Sequence, residues 1–203
     1  MPTETPQHEP DLNPEGNPQG KGMVPVLDAL RALQPWQPDR KSAEQILREF
    51  CLSTLVLSAR FDFRVVPNRD YWLYRVASGW QLSLISPEEW RGREPGPFVG
   101  RCVLAPDMTW ALELAETVAQ DDALVAALEQ HLRGFVERVG ATERIEEALP
   151  TYEQGLPYQQ RMMATALASS LQTSMIISGL AGAPSQHWLT GNLRQVLLPN
   201  STA

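Results

Sequence analysis

The chain is poor in the residues that build reactive or scaffolded sites. Its 203 residues hold two cysteines, Cys51 and Cys102, and three histidines, His8, His131 and His187. Two cysteines can neither hold a structural zinc alone nor staple a small secreted scaffold. Cys51 falls in an apolar helical pattern and Cys102 in a strand pattern, so each reads as a small buried hydrophobe. None of the histidines lies at metal-ligand spacing from a Cys, Asp or Glu, and no metal site is expected. His131, within LEQHLRG, reads as a solvated helix residue. Positive charge is also scarce: 17 Lys and Arg stand against 24 Asp and Glu, a formal net charge of -7, and the longest basic cluster is Arg40-Lys41. Nucleic acid is therefore not an expected partner, because phosphate-backbone binding needs clustered cations. There is no nucleophile elbow, P-loop or dinucleotide fingerprint, and Gly92, Gly96 and Gly100 do not precede a helix, so no cofactor is expected. The first 20 residues have neither a basic n-region nor an apolar h-region, so they are not a secretory signal, and a reducing cytoplasm is the default location.

What is present reads in order. Residues 1–22 are rich in Pro, Glu, Asn, Gln and Gly and are expected to be a disordered tail. VPVLDALRAL (24–33) has helical spacing, then Pro35 and Pro38 break it around Trp36, which is expected to pack down on the domain. Ser42 with Gln45 forms a capping-box signature ahead of a helix whose apolar face carries Leu47, Phe50, Cys51 and Leu55. FDFRVV (61–66) alternates like a strand. Tyr71–Ala77 and Trp80–Ile85 read as a hairpin turning on Ser78-Gly79, which pairs Arg75 with Leu82 and Leu73 with Leu84. Tyr71, Leu73, Arg75, Trp80, Leu82 and Leu84 then share the face assigned to the core, and a one-residue slip would exchange the faces. Phe98–Leu104 and Thr109–Leu114 are further strands. Asp121 or Asp122 caps a helix ending at Gly140, with Val125, Leu128, Leu132, Phe135 and Val139 as a heptad-like seam. Thr142–Leu149 is a short helical piece stopped by Pro150.

The last long helix runs from Pro157 towards Gly179. Its centre, 162–180, carries no formal charge, yet it holds serines, threonines and a glutamine that suit helix packing better than lipid. Ala166, Ser170 and Ser174 form a small-residue stripe along it. Trp188, Leu189, Leu193, Val196 and Leu197 suggest one or two more turns of helix.

The most enzyme-like feature is Glu88-Glu89, two adjacent carboxylates among aromatics. A structural account explains them better. Ser86 stands at an N-cap, Pro87 at the first helical position and Glu89 three residues on, with Ile85 and Trp90 placed for a hydrophobic staple. Asp107 after Pro106 is ordinary turn chemistry. The outer hairpin face is more suggestive. Trp72, Tyr74, Gln81 and Ser83 form an aromatic patch of the kind that marks protein interfaces, unless the C-terminal helices cover it. Trp110 is grouped with them as a further binding residue.

Several of these stretches also carry a resemblance. Tyr71-x-Leu73-Tyr74, Ser78-Gly79, LSLISPEEW (82–90), FVG (98–100) and DMTW (107–110), with SARFDF (58–63) and NPQGKG (17–22) upstream, are similar to the domain of unknown function 2452 family over roughly residues 17–114. Trp72 stands where that family often has a polar residue. The resemblance implies no established activity and no catalytic residues.

The expected fold is α+β: a preceding helix, an antiparallel β-meander of four to five strands, then a C-terminal helical segment. The expected organisation is a tail (1–22), a meander domain (23–115) and a helical segment (116–203) packed on it or mediating association. The expected function is a non-enzymatic module that binds a protein partner or itself through helices 121–140 and 157–180, without stable membrane insertion. The alternative is a small-molecule-binding protein or enzyme with a pocket between sheet and helices, lined by Trp72, Tyr74 and Trp110, with Glu88 or Asp107 as polar contacts.

Overall fold

A computed structural model describes residues 39–151 and 155–189. The tail, the 24–33 segment, Trp36, and Leu193, Val196 and Leu197 lie outside the described residues. The order of elements is α1 (Ala43–Leu57), β1 (Asp70–Val76), β2 (Gly79–Ser83), α2 (Pro87–Trp90), β3 (Phe98–Leu104), β4 (Trp110–Leu114), a 3-10 turn (Glu116–Gln120), α3 (Asp122–Gly140), a second 3-10 turn (Ile145–Ala148), α4 (Tyr158–Ser178) and α5 (Ser185–Trp188). The chain is α+β, with a helix before an antiparallel four-stranded sheet and helices after it.

Helix α1 lies at the centre. Ser42 Oγ accepts the Gln45 backbone N–H at 3.1 Å and starts it. The Gln45 side chain does not close the expected capping box; it donates to Glu49 one turn on. Nine of the 15 residues of α1 are buried, including Ile46, Phe50, Cys51, Leu55 and Val56, so more than one face is packed. The sheet meets it through Ser53, whose Oγ accepts the Trp110 N–H at 2.9 Å. Helix α3 meets it through Phe135, edge-on to Phe50 with ring centroids 5.0 Å apart.

Helix α4 runs antiparallel to α1 and is tied to it at both ends. Gln160 Nε2 donates to Ala59 O at 2.7 Å, and the Lys41 N–H donates to Ser178 Oγ at 3.0 Å. Between these ties the stripe of Ala166, Ser170 and Ser174 is buried, as small residues allow when two backbones approach closely. The seam of α3 is buried likewise at Leu128, Leu132, Phe135 and Val139, while Val125 is only half-buried and Leu124 is buried in its place, with Asp121 capping two N–H groups as expected. Both helical faces that suggested outside partners are thus in contact with the protein's own core. Among the described residues no helix is long and apolar enough to cross a membrane.

The sheet has the order β2-β1-β3-β4. The strands are antiparallel throughout, and the α2 connection carries the chain from β2 to the far side of β1, where β3 pairs. Three expectations need correction. The hairpin turns on Ala77-Ser78, with Val76 opposite Gly79, Arg75 opposite Trp80 and Leu73 opposite Leu82. Ala77 and Ser78 keep negative φ, so the reversal falls on Gly79 at φ +134°, a conformation an L side chain resists. The slide is two residues, so the faces keep their parity and Tyr71, Leu73 and Leu82 are in the core as assigned, whereas Arg75 and Trp80 are half-buried and Leu84, past the end of β2, is exposed. Residues 61–66 are not a strand. Only Arg60 pairs with the β2 edge, and the loop beyond it is fastened by the Tyr71 hydroxyl, which the Val66 N–H reaches at 2.7 Å. Finally, Trp90 packs edge-on against Tyr74 instead of closing a staple, and Ile85 stays 40% exposed.

A bulge sets the β1–β3 register. Leu73 faces Gly100 while Tyr74 faces Phe98, which leaves Val99 as the extra residue. Gly100 is there because β4 passes too close for a side chain: a Cβ would stand 2.3 Å from the Glu113 carbonyl oxygen. Gly100→Ala is expected to cost about 1–3 kcal/mol by overpacking. Gly134→Ala, mid-helix with open space around it, is expected to add about 0.4–1 kcal/mol. Urea denaturation of the two variants checks both signs.

Candidate functional site

Two polar assemblies deserve comparison as sites. The first is a joint around Lys41. Its ammonium bonds Glu49 of α1 and, at 2.6 Å, Asp107 of the β3–β4 hairpin, while its backbone N–H holds Ser178 at the end of α4. Asp107 is oriented in turn by the N–H and hydroxyl of Thr109, at 3.1 and 2.6 Å, across Met108 at φ +68°. Burial alone would lower the Lys41 pKa; the bonds to Asp107 and Glu49 outweigh it and leave the pKa raised. Burial likewise works to raise Asp107, and its bonds to Lys41 and Thr109 hold it below the usual carboxylate range. A lysine held more firmly protonated is a poor nucleophile or base. The joint therefore reads as a tie between the start of α1, the end of α4 and the hairpin, and Asp107 belongs to it.

The second assembly is the sheet face that α1 does not cover. Pairing across the four strands builds a row Ser83–Trp72–Arg101–Glu113. Trp72 is half-buried at its centre. Arg101 is 49% exposed and is held by Asp70 at 3.1 Å and Glu113 at 2.8 Å, which raises its pKa further. At one end α2 folds over this face. Ser86 and Glu89 form the expected capping box, with the Ser86 N–H 2.9 Å from the Glu89 carboxylate. The N–H of Glu88 and the hydroxyl of Ser86 hold the Glu88 carboxyl below its ordinary value. Trp90, carried by α2, closes over Tyr74 together with Phe98, 5.5 Å from the Tyr74 ring. Burial, with Glu88, Glu94 and Glu89 adding to it, pushes the Tyr74 phenol up to about 12. Beyond this cover the face is open: Asp70 is 47% and Glu113 73% exposed.

The structure brings the residues singled out in the sequence together only in part. Trp72 and Gln81 are half-buried on the open face. Tyr74 and Ser83 share that face but are sealed, Tyr74 giving its hydroxyl to Ile85 O at 3.1 Å and Ser83 accepting the Ile85 N–H at 2.9 Å. Trp110 lies on the opposite, core face beside Tyr71, 1% exposed. The three aromatics expected to line one pocket therefore stand on two sides of the sheet. A cleft of about 560 Å³ occurs elsewhere, between Gly140–Arg144 and the Gly182–Gln186 segment. Cys51 and Cys102 are buried thiols whose pKa values burial raises, to about 12 for Cys51. Among the described residues no three His, Cys, Asp or Glu side chains converge as a metal site requires.

Arg101, Lys41 and His131 were not legible as site or joint residues. Arg101 and Lys41 acquire partners 31 and 66 positions away, which no local pattern announces. His131 is not solvated. Its Nε2 lies 3.2 Å from Cys51 O and 3.4 Å from Thr54 Oγ1, between α3 and α1. Burial lowers its pKa, and nearby Arg138 adds to this.

The chain belongs to the family described as protein of unknown function (DUF2452), whose model matches residues 25–134, more than half of the chain. The match takes in the whole sheet and much of α3. No solved structure matches the chain.

Two expectations follow. A double-mutant cycle of Lys41→Met and Asp107→Asn is expected to show a coupling of about 1–2 kcal/mol, because the two opposite charges meet in a part-buried joint; additive losses on chemical denaturation would contradict the joint. His131 is held neutral by the fold, so the unfolded chain binds its proton more readily. Its contribution is therefore fully present above the ordinary value of 6.5 and is lost as pH falls from there through the folded value. Stability measured between pH 7.5 and about 5 should decline more steeply for the wild type than for His131→Gln, which keeps a donor to Cys51 O without a titrating ring.

Proposed function

We propose that the protein is a non-enzymatic interaction module that receives a protein partner on the open face of its sheet, around Trp72 and Arg101. The observation that carries this reading is the transverse row on that face, where a half-buried tryptophan sits beside an arginine already oriented by two carboxylates. Tryptophan and arginine are the residue types that most often anchor interfaces. An arginine fixed in advance loses little freedom on binding. A sheet face meant only for water would carry short polar side chains at the Trp72 position.

The face also has the right setting. Rigid strands support it, α2 walls one end, and the helical surfaces that seemed suited to association are taken up by α1. Gln81 borders Trp72 on β2 and offers both donor and acceptor groups. Tyr74 and Ser83, on the same face, fix the Ile85 backbone that leads into α2.

Site-specific photo-crosslinking in the native cell tests the reading. A crosslinking residue at Ala111, exposed on the open face, is expected to give an adduct of defined mass. One at Gln172, exposed on α4, is expected to give none. Trp72→Ala should reduce the Ala111 adduct several-fold. Equal adducts from both positions, or none from Ala111, would count against a partner on this face.

A further inference from the structure

We infer that the partner segment received on this face is basic, presenting lysine or arginine side chains to the Trp72 indole. The inference rests on the interaction reading above and adds the chemistry of what is bound.

The charges around Trp72 carry the argument. Asp70 precedes it by two positions on β1, and Glu113 ends its row on β4. Both are strongly exposed, and the one cation between them, Arg101, is shared by the two. One guanidinium against two carboxylates leaves this side of Trp72 negative. On the other side α2 brings Glu88 and Glu89, and the segment after it Glu94, all exposed. Their segment is held against this face by Trp90, whose ring packs edge-on to Tyr74, one alternation along β1 from Trp72. Arg91 and Arg93 follow in the same segment, so three carboxylates stand against two guanidiniums there. Trp72 is thus an aromatic surface between two acidic flanks.

That combination selects cations for two separate reasons. The face of an indole attracts an ammonium or guanidinium through its quadrupole, and tryptophan is the strongest of the aromatic platforms. Exposed carboxylates on both sides raise the local concentration of a positive segment and repel a negative one. An acidic or phosphorylated partner would meet like charge on either side of the indole. A purely apolar partner would cover Asp70 and Glu113, which share one guanidinium, without adding a second cation. The exposure of these groups predicts binding that weakens with salt.

The test uses the full-length protein and two synthetic ten-residue peptides, one alternating Lys and Thr and the other alternating Glu and Thr. The readout is the indole N–H resonance of Trp72, assigned through Trp72→Phe. The Lys peptide is expected to shift that resonance saturably, and the Glu peptide to leave it in place. The double variant Glu88→Lys/Glu113→Lys is expected to weaken binding by about tenfold or more, with further loss at higher salt. Glu137→Lys, a reversal on the exposed side of α3, should change the affinity by less than about twofold, because distant surface charges are screened. Equal shifts from both peptides would overturn the inference, as would equal weakening by Glu137→Lys and the double variant. The interaction reading fails separately. If the Ala111 crosslink persists at full yield in Glu88→Lys/Glu113→Lys and the Lys peptide does not bind, a partner uses this face but is not basic. If the Ala111 crosslink is absent as well, both readings fall.

Discussion

Everything in this fold depends on the burial of α1. The sheet packs on one side of it, and α3 and α4 pack on others, so its apolar residues form a shared core in place of a single amphipathic stripe. Helix α1 therefore supplies apolar surface to three elements that bury little against one another. That arrangement explains why the small-residue stripe of α4 and the seam of α3 face inward. Without α1 the stripe of α4 would lose its main apolar neighbour.

A buried helix must also be held along its axis, since apolar packing is not directional. The polar ties do this. Lys41 fixes its start to Ser178 and Asp107, Ala59 receives Gln160 just past its end, and Ser53 and Thr54 reach β4 and His131 along its length. Two of the ties go to α4, two to the β3–β4 hairpin and one to α3. Together they fix the sliding position of α1 relative to the sheet. The β3–β4 hairpin is tied at Asp107 and Trp110, so its register is coupled to the helical layer.

Local signals in the sequence were legible where local physics decides them. The N-caps at Ser42 and Asp121, the capping box at Ser86, the apolar seam of α3 and the core face of the β1–β2 hairpin all follow from contacts within a few residues. What was not legible depends on distant partners. The exact hairpin register turned on where Gly79 absorbs the reversal, and parity survived only because the slide was two residues. Alternation at 61–66 suggested a strand, but Phe63 stacks on Tyr71 and Val66 is bound by the Tyr71 hydroxyl, which fix the segment as a loop. His131 looked polar and solvated because nothing in LEQHLRG reveals the Cys51 carbonyl. Alternation placed Trp72, Tyr74, Gln81 and Ser83 on one face, but Trp110, grouped with them, lies on the other, and Arg101, which gives the face its polarity, belongs to another strand.

The placement of the candidate site follows from the same economy of surfaces. Sheet edges are the usual route to unplanned association, and here both are occupied in part. Arg60 pairs with β2 on both sides of Gln81, and the first N–H of β4 is taken by Ser53. The helical faces are committed to α1. The outer sheet face is what remains, and most of it is what solvent would select: Asp70, Arg101, Glu113 and Ala111. Trp72 is the exception. A half-buried indole in that row gains nothing from the core beneath, because Tyr71 and Leu73 on either side of it fill the opposite face. Its apolar surface is matched to neither the core nor the water, which makes the row through Trp72 the place where an outside surface would complete the structure.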